Sequence, residues 1–140
     1  MEFKLELVLV PVTDVDRAKS FYVEQAGFGL EVDTPVGADM RVVQVTPPGS
    51  ACSVGFGVGI TAATPGSVQG LHLVVSDIVA ARADLRSRGV EVSEVRHLEA
   101  GTWVPGPDPQ RANYESFADF ADPDGNVWVL QEVNRAEPSA

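Results

Sequence analysis

Apolar and polar residues follow the same pattern twice along the chain. Residues 3–12 are rich in valine and leucine, which predicts a largely buried strand, and Asp14 follows it as a helix N-cap. Apolar residues then recur at helical spacing until Gly27 ends the helix. They are Val15, Ala18, Phe21 and Tyr22. The pattern of Val10–Tyr22 returns 63 positions later in Val75–Leu85, so the chain contains an internal repeat.

The second copy has the same order of elements. A strand at 70–75 leads to Asp77 as the next N-cap, the inward stripe of the helix contains Ile78 and Leu85, and Gly89 ends it. Further strands are predicted at 28–34, 39–46, 51–58, 90–95, from Asp119 to the Asp122–Asn126 turn, and at 127–133. We therefore predict a single domain over residues 1–134, with repeats at 3–58 and 70–134, a linker at 59–69 and a flexible tail at 135–140.

One segment of the second copy has no counterpart in the first. Between His97 and Tyr114 the chain carries Pro105, Pro107 and Pro109, a spacing that disfavours helix and central strand. A long connection inside a compact domain is typical of a lid, a binding loop or a plain surface loop. Trp103 within it favours packing against another group, so we predict binding or lid function for this segment.

Composition narrows the classes of function. The 140 residues carry a net charge of −10 without a lysine and arginine cluster, so nucleic-acid binding is not expected. A single cysteine, Cys52, excludes an intramolecular disulfide and favours a reducing, cytoplasmic location. No apolar run reaches membrane-spanning length, so no membrane partner is expected.

The repeat resembles the vicinal-oxygen-chelate superfamily, which contains glyoxalase I, bleomycin-resistance proteins and extradiol dioxygenases. The resemblance rests on Asp-Val-Asp-Arg-Ala-Lys-Ser-Phe-Tyr, the following Gly-Phe, and Asp-Pro-Asp-Gly-Asn before the last strand. It implies an α+β fold in which two βαβββ repeats form a curled mixed sheet around a ligand cavity, made by one chain or by two. It also implies a homodimer, since many members are homodimers.

The resemblance also locates the positions where metal-dependent members carry their ligands. These positions fall on Leu7, Gly70, Val129 and, less directly, near Ser53. None of them is a histidine or a carboxylate, and aliphatic side chains offer no lone pairs to a metal. We therefore predict neither a metal nor another cofactor at this place.

Two polar residues are predicted to lie beside these positions, which lack metal-binding side chains. His72 lies two residues beyond Gly70, and Gln131 lies two beyond Val129, so alternation places each on the same face as its neighbour. His72 is either a neutral, hydrogen-bonded strand residue, a ligand contact or a catalytic acid–base. The predicted ligand-binding residues are His72, Trp103, Tyr114, Gln131, Leu7 and Val129, with His72 as the candidate catalytic residue.

Three further residues are assigned by position. His97 is interpreted as a loop residue at the start of the proline-rich segment, and Glu132 as a residue near the exposed end of the last strand. Trp128 is predicted to belong to the core, because alternation places it on the helix-packed face.

Two classes of function follow from these predictions. The first is a metal-independent protein that binds a small organic ligand and sequesters a drug or metabolite, as bleomycin-resistance proteins do. The alternative is an enzyme: a metal-free isomerase or lyase that uses His72, or a metal-dependent lyase or dioxygenase. A structural role without a ligand is a further alternative.

Overall fold

The structure is a computed structural model that describes residues 1–134; the predicted tail at 135–140 lies outside the described residues. Its chain forms two compact units. The first contains Met1–Gln69 and Asp122–Asn126, and the second contains Gly70–Ala121 and residues 127–134. The fold is α+β, with one sheet and one main helix in each unit.

The first unit is a four-stranded sheet with one helical segment. Its strands are β1 (Leu7–Leu9), β2 (Gly29–Val36), β3 (Met40–Thr46) and β4 (Ser53–Val58), and its helix α1 (Val15–Ser20) continues as a π-helical turn over Phe21–Gln25. The strand order is β1-β4-β3-β2, with β1 parallel to β4 and the other pairs antiparallel.

Side chains from β3 and β4 form the core of this unit beneath the helical segment. Val43, Val45, Val54 and Phe56 are buried, and the rings of Tyr22 and Phe56 lie 5.5 Å apart. The neighbouring Gly57 has to remain glycine, because a Cβ there would lie 1.8 Å from the carbonyl oxygen of Arg41.

The second unit repeats this topology and adds one strand. Its strands are β5 (Gln69–Val75, whose first residue belongs to the first unit), β6 (Arg96–Glu99), β7 (Thr102–Pro105), β8 (Ser116–Ala121) and β9 (Val127–Glu132), and its helix is α2 (Ile78–Ser87). The order β5-β9-β8-β6-β7 matches β1-β4-β3-β2, with β7 added at the edge. The core beneath α2 contains Ile78, Leu85, Ala118, Phe120, Trp128 and Leu130.

Both predicted helix starts are confirmed. The side chain of Asp14 accepts a hydrogen bond from the backbone N–H of Arg17, and that of Asp77 accepts from Ala80, each at 3.1 Å. The equivalence of the two caps supports the internal repeat that the sequence predicts.

The structure corrects two predicted strands. Residues 3–12 are not one buried strand: only Leu7–Leu9 pair with a neighbour, and Phe3 is 90% exposed. The predicted strand at 90–95 is irregular, and the strand begins at Arg96. Val90 and Val92 in residues 90–95 are buried as predicted. The carbonyl of Ser93, however, accepts a hydrogen bond from the side chain of Arg82 instead of from a neighbouring strand.

The proline-rich segment is also more regular than predicted. Residues 96–105 form an antiparallel hairpin, β6 with β7, and the irregular part is limited to residues 106–115. Pro105 is tolerated because β7 is an edge strand, where a missing N–H need not interrupt a ladder of hydrogen bonds.

Candidate ligand-binding face

One side of the five-stranded sheet in the second unit is not covered by its helix. We call this side the open face. Strand registers pair Phe117 with Gln131, Asp119 with Val129 and Leu98 with Trp103. Arg96, two residues before Leu98, is paired with Phe117, so all of these residues share a side. The side chains of the opposite face, such as Trp128 and Leu130, are buried beneath α2.

Trp103 is the largest apolar side chain exposed on this face. It is 50% exposed, and its ring lies edge-on to Phe117 with centroids 5.5 Å apart. The guanidinium of Arg96 lies 4.9 Å from the centre of the Trp103 ring. Both geometries are favourable for aromatic rings. The indole is therefore held in place while half of its surface remains available.

Arg96 is itself held by polar neighbours. Its guanidinium donates to the side-chain oxygen of Ser93 at 3.2 Å and lies 3.6 Å from the carboxylate of Asp119. These contacts fix the cation over the indole, so Trp103 has few alternative positions.

Gln131 and Tyr114 are brought together as neighbours. The amide of Gln131 donates to the backbone carbonyl of Tyr114 at 3.1 Å, and the Tyr114 N–H donates to the carbonyl of Glu132 at 2.8 Å. Tyr114 has a φ of 69°, in the left-handed region, and its side chain is 50% exposed. Two hydrogen bonds to β9 therefore hold an uncommon backbone conformation in place.

His72 lies on the same strand as Gly70, and its ring is exposed. Its Nδ1 lies 2.7 Å from the Gly70 carbonyl oxygen, which can only accept, so Nδ1 carries a proton. Among residues 1–134, no carboxylate hydrogen-bonds to this imidazole. The Gly70 carbonyl therefore orients the imidazole, as a backbone carbonyl or a carboxylate commonly does for a histidine.

The four positions expected from metal-dependent relatives carry no metal-binding group. In the first unit Leu7 and Ser53 are register partners, and the Ser53 hydroxyl hydrogen-bonds to that of Thr46 at 2.8 Å. In the second unit Val129 is paired with Asp119. No group of three or more histidine, cysteine or acidic side chains placed to hold a metal occurs within the described part of the chain. The absence of a metal stays a prediction.

The structure contradicts the interpretation of Glu132 as an exposed residue. Glu132 is 2% exposed, and its carboxylate accepts hydrogen bonds from the N–H of Ile78 and from two nitrogens of Arg111, all at 2.9 Å. The hydrogen bond from Arg111, together with that from Ile78, lowers the pKa of Glu132. Alternation could have assigned this side chain to the helix side, but Arg111 lies in an irregular segment that no periodicity connects to it.

His97 is likewise buried rather than a loop residue. It lies in β6 and is 4% exposed. Its Nε2 is 3.0 Å from the Glu99 carboxylate and its Nδ1 is 2.7 Å from the carbonyl oxygen of Gly106. Glu99, then the Gly106 carbonyl, raise the pKa of His97, because the protonated ring can donate to both.

A second buried carboxylate organises the Asp-Pro-Asp-Gly-Asn turn in the first unit. Asp122 accepts hydrogen bonds from the Tyr22 hydroxyl at 2.7 Å and from the side-chain amide of Asn126 at 2.8 Å. It also accepts from the backbone N–H groups of Asp124 and Asn126. The side chain that made this turn recognisable in the sequence is therefore structural.

The chain belongs to the superfamily that its repeat resembles. The family model described as Glyoxalase/Bleomycin resistance protein/Dioxygenase superfamily matches residues 4–130. This confirms the prediction of the family from the repeated helix start and the turn before the last strand.

Individual relatives include an antibiotic-binding protein. TnmS3, an antibiotic binding protein from Streptomyces sp. CB03234, is 37% identical, with 94% of this chain and 96% of that chain covered and a TM-score of 0.72. A superfamily member from Sphaerobacter thermophilus DSM 20745 is 29% identical, with 94% and 98% covered and a TM-score of 0.71. The uncharacterized protein YetH of Bacillus subtilis (strain 168) is 30% identical over 129 residues, which are 89% of this chain and 94% of YetH.

None of the helices described for this chain is long and apolar enough to cross a membrane.

Proposed function

We propose that this protein binds a small organic molecule without a metal, sequesters a drug or metabolite in this way, and uses the open face of the second unit for the purpose. The observation that carries the proposal is the half-exposed Trp103, held by Arg96 and Phe117 on the sheet face opposite the second unit's own helix. A fixed aromatic ring offers a large contact area at little cost in conformational entropy. The similarity to an antibiotic-binding protein supports the same class of function.

Tyr114, Gln131 and Val129 are the proposed neighbours of Trp103 in this role, with His72 at the far strand of the same sheet. Leu7, on the first unit's sheet, is proposed separately as an apolar ligand contact of that unit. We further propose a cytoplasmic homodimer without nucleic-acid or membrane partners. The net charge of −10 favours cationic ligands through long-range attraction, so their affinity should fall as salt is added.

Fluorescence and calorimetry test the proposal. The panel consists of bleomycin and aromatic antibiotics that are cationic, neutral or anionic. Each is titrated while the tryptophan emission of the protein is followed, and calorimetry measures the affinity of the Trp103→Ala variant. For a compound that binds, Trp103→Ala should weaken affinity at least about tenfold, the effect of removing an aromatic anchor. Val79→Ala, which trims an exposed residue of α2 on the other side of the sheet, should leave affinity unchanged. Equal affinity of the Trp103→Ala variant would refute the placement of the ligand.

The enzyme alternative rests on His72, whose imidazole is exposed and oriented by Gly70. Each bound compound is therefore also assayed for conversion by mass spectrometry. Loss of turnover with unchanged affinity in His72→Gln would establish catalysis. Unaltered compounds, together with protection of cells that express the protein, support sequestration.

A further inference from the structure

Arg82 and Arg86 lie one turn apart on α2, and within residues 1–134 they are the two cationic side chains without an ion pair. Every other lysine and arginine in that range is paired with a carboxylate. Asp84, the acidic residue between them, is paired with Arg88 at 2.7 Å instead. The chain has twenty acidic residues against ten basic ones, and like charges one helical turn apart repel each other. The two guanidinium groups are therefore left unneutralised although carboxylates are abundant.

Both arginine side chains line a cleft of about 530 Å³ beside α2. Ala83, Val95 and Gly106 also line this cleft and give it an apolar wall. Small-molecule sites commonly combine a concave apolar wall with a few polar groups, and this cleft has the size of such a site. Because α2 covers the side of the sheet opposite the open face, the cleft is separate from the candidate site around Trp103.

Arg82 is held in place by the backbone next to the cleft. Its Nε donates to the Ser93 carbonyl at 2.7 Å, and its Nη2 donates to the Val92 carbonyl at 3.4 Å. A guanidinium has five N–H donors, so those on Nη1 have no partner among the described residues. Arg86 is exposed and can move toward a ligand. A guanidinium that is already fixed binds an oxyanion with a smaller loss of side-chain freedom than a mobile one would.

We propose that this cleft binds a small organic carboxylate through Arg82 and Arg86. The apolar part of the ligand packs against Ala83 and Val95, and the paired N–H donors of a guanidinium match the two oxygens of a carboxylate. Glu94 also lines the cleft, so two guanidinium groups and one carboxylate leave a single positive charge, which a monoanion neutralises. A phosphate monoester carries about two negative charges and would meet Glu94 with the excess. The attraction is local, since the chain as a whole carries a net charge of −10.

Benzoate is the probe, titrated into the protein while NMR spectra of the backbone amides are recorded. Saturable shifts are expected for the N–H groups of Ala83, Val95 and Gly106, with a Kd of about 1–10 mM for a ligand of this size. Benzamide has the same shape without the charge and should bind at least about tenfold more weakly. Inorganic phosphate is titrated in the same way, and tighter binding of phosphate than of benzoate would overturn the assignment to a carboxylate.

Arg86→Gln removes one guanidinium from an exposed position and should raise the Kd of benzoate about tenfold. The matched control is Arg88→Gln, which changes the charge of the same helix equally. Arg88 is paired with Asp84 and does not line this cleft, so the Kd should stay within about twofold. Circular dichroism checks that each variant is folded.

Three results would each overturn the inference. They are an unchanged Kd in Arg86→Gln, an equal loss of affinity in Arg86→Gln and Arg88→Gln, and benzoate shifts confined to the residues around Trp103. The Trp103→Ala variant should leave the benzoate shifts in the cleft unchanged. Failure of the cleft is therefore distinguishable from failure of the ligand site on the open face.

Discussion

Replacing Arg111 by methionine should destabilise the second unit although Arg111 lies in an irregular segment. The buried carboxylate of Glu132 receives three hydrogen bonds, and two of them come from Arg111. Methionine keeps much of the side-chain volume but cannot donate. The variant leaves Glu132 with the backbone N–H of Ile78 as its remaining donor in the network.

The expected magnitude follows from the exposure of the two partners. Removing one partner of a buried ion pair costs about 3–5 kcal/mol, whereas an exposed pair contributes about 0–1 kcal/mol. The Glu132 side chain is 3% exposed but that of Arg111 is 43% exposed, so solvent can partly replace the guanidinium. We therefore expect a loss of about 2–3 kcal/mol in the free energy of unfolding. The corresponding fall in Tm is about 6–12 °C.

Urea unfolding followed by tryptophan fluorescence reports on the relevant unit, because Trp103 and Trp128 both lie in it. The control is Arg88→Met, which removes an ion pair with Asp84 that is 32% and 63% exposed and should cost less than about 1 kcal/mol. A loss below about 1 kcal/mol in Arg111→Met, at an unchanged slope against urea, would refute the reasoning.

Acid supplies a second check on the same pair. Because Arg111 lowers the pKa of Glu132 in the folded protein, the pair stabilises the fold above the ordinary glutamate pKa of 4.5. That contribution is lost as the pH falls through the lowered folded value. The difference between wild type and Arg111→Met should therefore shrink steadily in acid, and a difference independent of pH would contradict the ion-pair explanation.

Two further predictions concern buried polar groups. Tyr22→Phe removes one donor to the buried carboxylate of Asp122 and should lower the free energy of unfolding, measured with urea, by about 1.5–3 kcal/mol. An unchanged free energy of unfolding would show that water replaces the hydroxyl. His97 has its pKa raised chiefly by Glu99, so its contribution to stability is complete below the ordinary value of 6.5 and is lost as the pH rises through the higher folded value. Titration by imidazole nitrogen NMR should show this raised value, and Glu99→Gln should lower it while the contact with Gly106 remains.

The sequence predicted best what local chemistry determines. The helix starts at Asp14 and Asp77 depend on residues within one turn, and the repeat shows them twice. Trp128 was predicted to be buried from alternation alone, and its exposure of 2% confirms this. The turn around Asp122 was recognised in the same way, because Asp122 and the backbone N–H groups of Asp124 and Asn126 that donate to it lie within five positions.

Features determined by distant partners were predicted poorly. Val90 and Val92 alternate with polar residues as strand residues do, but Arg82 donates to the carbonyls of Ser93 and Val92. The apolar pattern predicts that Phe3 and Leu5 are buried, but they are exposed, because no strand of the first unit's sheet pairs with them. In both cases the local pattern is correct and the missing information is which group lies opposite.

The hydrogen bonds of residues 106–115 argue that this segment is a fixed wall rather than a mobile lid. The segment is hydrogen-bonded to its surroundings along its length. The Gly106 N–H donates to the Val95 carbonyl, the Asp108 N–H to the Ser116 hydroxyl, and the Tyr114 N–H to the Glu132 carbonyl. Lids that open readily have few such contacts. Because Glu132 also accepts from Arg111, one residue of β9 holds this segment through both its backbone and its side chain. The neighbouring Gln131 adds a bond to the Tyr114 carbonyl from the open face. We therefore expect the edge of the candidate site near Tyr114 to be already formed before any ligand binds.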